Sequence, residues 1–150
     1  MHKMTKEELL HTAIKIAKKA HKGQTDKYHA PYIAHVMRVM EYGNTYDEKI
    51  VGVLHDVVED NPEYNLDFLR ESGFPEHILF AIDCLTKDDP TLEYDQFIEK
   101  IEQSPLAVAV KINDLRDNMD IRRYPYPLTG KAQRRLNKYL KAYKYLIEKY

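Results

Sequence analysis

The 150 residues are enough for one domain with a substantial core, and 43% apolar and 31% charged residues are ordinary for a soluble globular protein. A net charge of −1 excludes a strong global attraction to nucleic acid or to a membrane surface. The single cysteine, Cys84, excludes an internal disulfide and fits a reducing compartment, and the apolar run around it predicts a place in the core. Residues 1–5 include no apolar stretch of signal-peptide length, so we expect a cytoplasmic protein.

Helical signals dominate the first part of the chain. A capping box at Thr5–Glu8 opens the first helix, which ends at a loop over residues 23–30. Pro31 then fits the first turn of a second helix. Another capping box, at Thr45–Glu48, opens a third helix that we expect to continue to Asp60.

The rest of the chain also predicts helices. Five further segments are expected at residues 66–71, 75–87, 94–103, 106–121 and 129–149. No segment of useful length alternates between apolar and polar residues with period two. We therefore predict an all-α fold, a single bundle of about eight helices.

The third helix carries an unusual group of polar residues. His55 and Glu59 lie one turn apart, as do Asp56 and Asp60, so these side chains share one face that could bind a divalent cation. Gly52 lies on the same face, where a glycine destabilises the helix by about 1 kcal/mol relative to alanine. Its presence indicates that another group approaches the backbone there. The alternative is an amphipathic surface helix with a solvated acidic face.

Two residues elsewhere could complete a metal site. His35 lies on the second helix beside its apolar face, where a lone histidine is more often a core residue with satisfied hydrogen bonds. Asp114 follows a run that is apolar on every side, and the alternative for it is a salt bridge to Lys111 or Arg116. Together with His55 and Asp56, these residues would give a donor set of two imidazoles and two carboxylates. Such a set suits Mn²⁺, Fe²⁺ or Zn²⁺ better than Ca²⁺ or Mg²⁺.

The order H…HD…D resembles the pattern of the HD-domain phosphohydrolases, and further motifs resemble the hydrolase domain of RelA/SpoT homologues. These motifs are H-x-x-Q at residues 21–24, PY-x-x-H at 31–35, LHD-x-x-ED at 54–60 and K-x-x-D-x-x-x-N at 111–118. The resemblance covers roughly residues 9–121. It implies a single HD domain over residues 1–150, with the hydrolase core at about 5–121 and a C-terminal helix at about 129–149.

The resemblance also implies a function, that of a small alarmone hydrolase. Such an enzyme removes the 3′-pyrophosphate of guanosine tetra- or pentaphosphate, (p)ppGpp, with Mn²⁺, although another divalent transition metal is an alternative. We expect no synthetase domain, because the sequence ends after the last predicted helix. Carried over by position, the implied roles are metal ligands for His35, His55, Asp56 and Asp114, water handling for Glu59 and Asp60, and substrate binding for Lys27, Lys111 and Asn118.

The sequence departs from the family at two positions. Asp26 stands where the family usually has an arginine, and Asp117 where a histidine or an aromatic residue is common. Two alternative substrates are therefore another phosphorylated nucleotide and the pyrophosphate of an RNA 3′ end. An alternative to the enzyme itself is a non-catalytic regulatory protein. We expect a small phosphorylated nucleotide as the partner, and neither a membrane nor a nucleic acid. The sequence leaves the oligomeric state open, and a homo-oligomer is one possibility.

Overall fold

A computed structural model describes residues 3–150; Met1 and His2, on which the expectations about the chain start and the domain limits partly rest, lie outside the described residues. This part of the chain is helical and contains no strand, which confirms the all-α class. The helices are α1 (Lys6–Ala20), α2 (Tyr32–Tyr42), α3 (Tyr46–Leu54), α4 (Val57–Asp60), α5 (Leu66–Glu71), α6 (Glu76–Cys84), α7 (Tyr94–Ile101), α8 (Pro105–Asn118) and α9 (Gly130–Lys149), with 3₁₀ turns at Pro62–Tyr64 and Ile121–Arg123.

The expected continuous third helix is wrong, because it is interrupted at His55 and Asp56. His55 Nδ1 donates to the carbonyl oxygen of Gly52 at 2.6 Å. In a continuous helix that oxygen accepts from the backbone N–H of Asp56, so the imidazole competes with the helical ladder. With α3 and α4 counted as one broken helix, the described helices number eight, as expected.

Helix α3 lies at the centre of the fold, where it packs against α1, α2, α6 and α8. Ile50 and the residues that follow it through Leu54 are fully buried, which excludes the amphipathic surface helix. A Cβ atom on Gly52 would lie 3.3 Å from backbone atoms of Met40 on α2. The close approach predicted at Gly52 is therefore confirmed, and the approaching group is the backbone of α2.

Helix α8 forms the other side of the core and contacts α2, α3, α6, α7 and α9. Ala107, Val108 and Val110 are buried, as expected for a run that is apolar on every side. Cys84 is also buried, which confirms its predicted place in the core. Among the described helices, none has both the length and the apolar character needed to cross a bilayer.

Candidate metal centre and adjoining cavity

The fold brings together the four residues singled out as candidate metal ligands. His35 lies on α2, His55 and Asp56 form the interruption between α3 and α4, and Asp114 lies on α8. One ligand atom from each lies within 4.8 Å of the others, so the group could hold one metal ion. Both histidines and Asp114 are buried, and Asp56 is half-buried.

The hydrogen bonds of the two histidines fit a cation at this point. Nδ1 of His35 contacts Asp117 Oδ2 at 2.6 Å, and Nδ1 of His55 donates to the carbonyl of Gly52. A neutral imidazole has one N–H, so each ring then presents the lone pair of Nε2. Both Nε2 atoms face Asp114 Oδ1, at 3.0 Å from His35 and 3.3 Å from His55. Lone pairs facing a carboxylate require a proton or a metal ion between them, and outer hydrogen bonds of this kind orient metal-binding histidines.

The electrostatics of the cluster also favour positive charge. Burial alone lowers the pKa of His55, but the charge of Asp56 and the hydrogen bond with Asp114 raise it well above its ordinary value. Burial raises the pKa of Asp56, yet the neighbouring His55 lowers it to about 2. The carboxylates are therefore ionised and stabilise cationic charge beside them, which is the condition for binding a divalent metal.

Asp114 has two further partners on its own helix. Lys111 Nζ lies 3.0 Å from Asp114 Oδ2, and Asn118 Nδ2 donates to Asp114 Oδ1 at 3.1 Å. The salt bridge considered for Asp114 is thus present with Lys111, whereas Arg116 lies over the ring of Tyr42. Lys111 is buried, and the substrate contacts expected for Lys111 and Asn118 stay predictions.

Glu59 and Asp60 lie on the short α4, which follows His55 and Asp56 directly in the chain, and both residues are exposed. Partial burial and the charges of Asp56 and Asp60 raise the pKa of Glu59 to about 7. Asp60 Oδ2 accepts a hydrogen bond of 3.4 Å from Gln24 Nε2, and Gln24 Oε1 lies 2.8 Å from Nδ1 of His21. The H-x-x-Q motif therefore supports Asp60 from the end of α1.

A cavity of about 430 Å³ adjoins the cluster. Tyr32 lines it and donates from its hydroxyl to Asp56 Oδ2, which joins the cavity wall to the candidate metal ligands. Lys27, Asn118 and Arg135 also line it, so two of the three predicted substrate-binding residues face one cavity. Burial and the charges of neighbouring cations, Arg135 first, lower the pKa of Lys27, which indicates an excess of positive charge suited to an anion.

Sequence reasoning missed the partners that orient these side chains. Asp117 and Arg38 stand behind His35, and the hydroxyl of Tyr32 binds Asp56. One signal was present for Asp117, since it follows Asp114 by three residues and therefore lies on a neighbouring face of α8. No comparable signal identifies the Gly52 carbonyl as the partner of His55.

Comparison with known proteins relates the chain to one family of nucleotide enzymes. No protein-family model matches the chain. Two GTP pyrophosphokinases, from Streptomyces coelicolor and Streptomyces antibioticus, are each 30% identical to it over 124 residues. The alignments include 75% of this chain and only 14% of the length of each relative. The chain is related to the RelA/SpoT family.

The two departures from the RelA/SpoT pattern have structural roles in this chain. Asp26 Oδ1 accepts hydrogen bonds from the backbone N–H groups of Tyr28, at 2.8 Å, and Ala30, at 3.0 Å. It therefore closes the loop that carries Lys27 into the cavity. Asp117 is fully buried behind His35, so the second departure adds a carboxylate next to a candidate metal ligand.

Proposed function

We propose that this protein is a metal-dependent phosphohydrolase with one divalent transition metal, Mn²⁺ as the first candidate, held by His35, His55, Asp56 and Asp114. The observation that carries the proposal is the convergence of these side chains, with both Nε2 atoms facing carboxylate oxygens. A structural role alone does not explain the donor set, because a buried group of two carboxylates and two imidazoles costs desolvation energy that apolar residues would avoid.

The substrate we propose is a nucleotide pyrophosphate of the (p)ppGpp type, cleaved at its 3′-pyrophosphate. The cationic cavity beside the cluster supports a polyanionic substrate, because Lys27 and Arg135 face it from separate elements. The relatives support a guanine nucleotide, since both are named for an activity on GTP. The motif resemblance at residues 54–60 favours the hydrolytic direction.

The chain's own residues divide the chemistry in this proposal. A bound divalent metal would lower the pKa of a water molecule and offset the negative charge of the phosphate oxygens. Glu59 holds the attacking water and accepts its proton, for which a pKa near 7 is well matched to neutral pH. Asp60, supported by Gln24, orients the same water, while Lys27 and Asn118 position the nucleotide.

A second candidate, transfer of pyrophosphate to GTP, is favoured by the names of the relatives. Two assays separate these functions. The first follows Mn²⁺-dependent release of phosphate or pyrophosphate from guanosine tetraphosphate, other nucleotides and RNA with a 3′-pyrophosphate. The second follows formation of guanosine tetraphosphate or pentaphosphate from ATP with GDP or GTP.

We expect pyrophosphate release from guanosine tetraphosphate and no product in the synthesis assay. Release only from another substrate would replace the proposed nucleotide while keeping the hydrolase. Synthesis without hydrolysis would reject the hydrolase, and no turnover in either assay would favour the non-catalytic alternative.

A further inference from the structure

Asp117 is a carboxylate close to the candidate metal centre that has no solvent-exposed surface. Its Oδ2 lies 2.6 Å from Nδ1 of His35, on the side of the ring opposite the metal-facing nitrogen. The residues lie 82 positions apart in the sequence, so the contact exists only because α2 and α8 pack together.

Two arginines hold this carboxylate in place. Arg38 contacts it with both Nε, 2.7 Å from Oδ1, and Nη2, 3.1 Å from Oδ2. Arg123 Nη2 lies 3.3 Å from Oδ2 and also donates to the backbone carbonyl of Asp117 at 2.8 Å. The hydroxyl of Tyr42 approaches Oδ1 at 3.4 Å. A bidentate guanidinium fixes both the position and the plane of a carboxylate, so Asp117 has little freedom to turn away from His35.

Burial of a carboxylate at this point has to be offset by its partners. Both oxygens have such partners: Arg38 Nε donates to Oδ1, while Arg38 Nη2 donates to Oδ2, which also lies 2.6 Å from His35 Nδ1. If the only role of Asp117 were to pair with Arg38, no contact with His35 would be needed. The contact with Nδ1 instead decides which nitrogen of His35 is free to bind a metal.

We propose that Asp117 is a positioning residue of the metal centre: it accepts the Nδ1–H of His35, fixes the ring with Nε2 toward the ion, and is itself held by Arg38 and Arg123. The inference rests on the proposed metal-dependent function. It also gives a role to the residue at which this chain departs from the RelA/SpoT pattern.

Metal affinity measured without substrate tests this role. The protein is stripped with a chelator and titrated with Mn²⁺ by calorimetry, as wild type, Asp117→Asn and a control, Asp47→Asn. Asp47 is a matched control because it also contacts a histidine, His77 at 3.0 Å, outside the metal-ligand cluster. We expect Asp117→Asn to weaken Mn²⁺ binding roughly 10- to 100-fold and Asp47→Asn to leave it within about twofold. A merely structural role would lower the unfolding temperature of Asp117→Asn without changing the Mn²⁺ affinity of the folded protein.

Each outcome decides between the proposals. Equal Mn²⁺ affinity of folded Asp117→Asn and wild type would overturn the positioning role alone. If Asp117→Asn does not fold, Arg38→Gln decides, because it keeps the contact between His35 and Asp117 but removes the bidentate clamp. We expect Arg38→Gln to bind Mn²⁺ more weakly than wild type, and an unchanged affinity would overturn the role. Wild type that binds Mn²⁺ but hydrolyses nothing would reject only the hydrolase, whereas wild type without Mn²⁺ binding would reject both.

Discussion

At the scale of single residues, we propose that different side chains of the candidate site hold the metal and handle the water. His55 and Asp56 contact each other through Nε2 and Oδ2 at 3.0 Å and belong to the ligand cluster. Glu59 is not among the four ligands and has a raised pKa. Substitutions can therefore remove one role without the other.

Glu59→Gln should retain Mn²⁺ binding and lose most of the hydrolytic rate. An amide keeps the shape of the side chain but cannot accept a proton, and a positioned general base contributes about 10² to 10⁴ in rate. Calorimetry with Mn²⁺ and initial rates on the active substrate of the panel give the two readouts. Full activity of Glu59→Gln would show that another group accepts the proton.

Mn²⁺ binding should release protons and become tighter as pH rises. Burial lowers the pKa of His35, but hydrogen bonds with Asp114 and Asp117 raise it above its ordinary value. The pKa of His55 is raised well above its ordinary value. The raised pKa values favour a proton on each ring in the metal-free protein, and a metal ion at Nε2 competes with that proton. Calorimetry in two buffers of different ionisation enthalpy measures the release between pH 6 and 8. An affinity independent of pH over this interval would contradict the assigned ligands.

At the scale of elements, the close packing of α2 on α3 sets the separation of His35 and His55. The two rings lie 5.6 Å apart, and Gly52 is the point where the backbones come nearest. Gly52 therefore lowers the helix propensity of α3 but allows the backbone of α2 to approach closely. Substitution by alanine, which adds one methyl group, tests the two effects together.

Gly52→Ala should destabilise the protein and weaken Mn²⁺ binding. Alanine gains up to about 1 kcal/mol in helix propensity, but the added Cβ meets backbone at 3.3 Å and overpacking costs about 1–3 kcal/mol. Chemical denaturation of the metal-free protein gives the change in the free energy of unfolding. Gly130→Ala is a matched control, because its Cβ would meet only the flexible end of Arg134 and should not destabilise. Greater stability of Gly52→Ala with unchanged Mn²⁺ affinity would show that the close packing does not set the site.

The elements themselves were largely predictable, and their irregularities were not. The box at Thr5 forms as expected, because Thr5 and Glu8 satisfy each other's backbone N–H groups within one turn. The break at His55 was not predictable, since it depends on a side chain that bonds to the Gly52 carbonyl rather than on helix propensity. Sequence periodicity therefore predicts a helix and cannot show where a functional side chain interrupts it.

At the scale of the whole molecule, the net charge of −1 conceals a separation of charge. The metal-ligand cluster has two carboxylates, while the adjoining cavity is lined by Lys27, Arg38, Arg123 and Arg135. An anionic substrate would meet cations in the cavity, with a metal ion offsetting the carboxylates beyond them. The net charge predicted no strong global attraction to nucleic acid, but composition could not reveal this local arrangement.

The candidate site was only partly predictable from the sequence. Spaced motifs singled out His35, His55, Asp56 and Asp114, and the fold brings them together. The contacts of Lys111 with Asp114 and of Asp117 with His35 depend on burial and on the packing of helices. Local patterns can identify groups that do chemistry, whereas the groups that orient them are found only in three dimensions.

We propose that His35, His55, Asp56 and Asp114 hold a metal ion that is used in hydrolysis. The most direct measurement is pyrophosphate release from guanosine tetraphosphate by metal-free protein as Mn²⁺ is added, for wild type and for Asp56→Ala. We predict that wild-type activity rises with Mn²⁺ and saturates near one ion per chain, and that Asp56→Ala loses roughly 10³-fold or more, since a metal ion contributes several kcal/mol. Equal activity of the metal-free protein, or full Mn²⁺-dependent activity of Asp56→Ala, would contradict it.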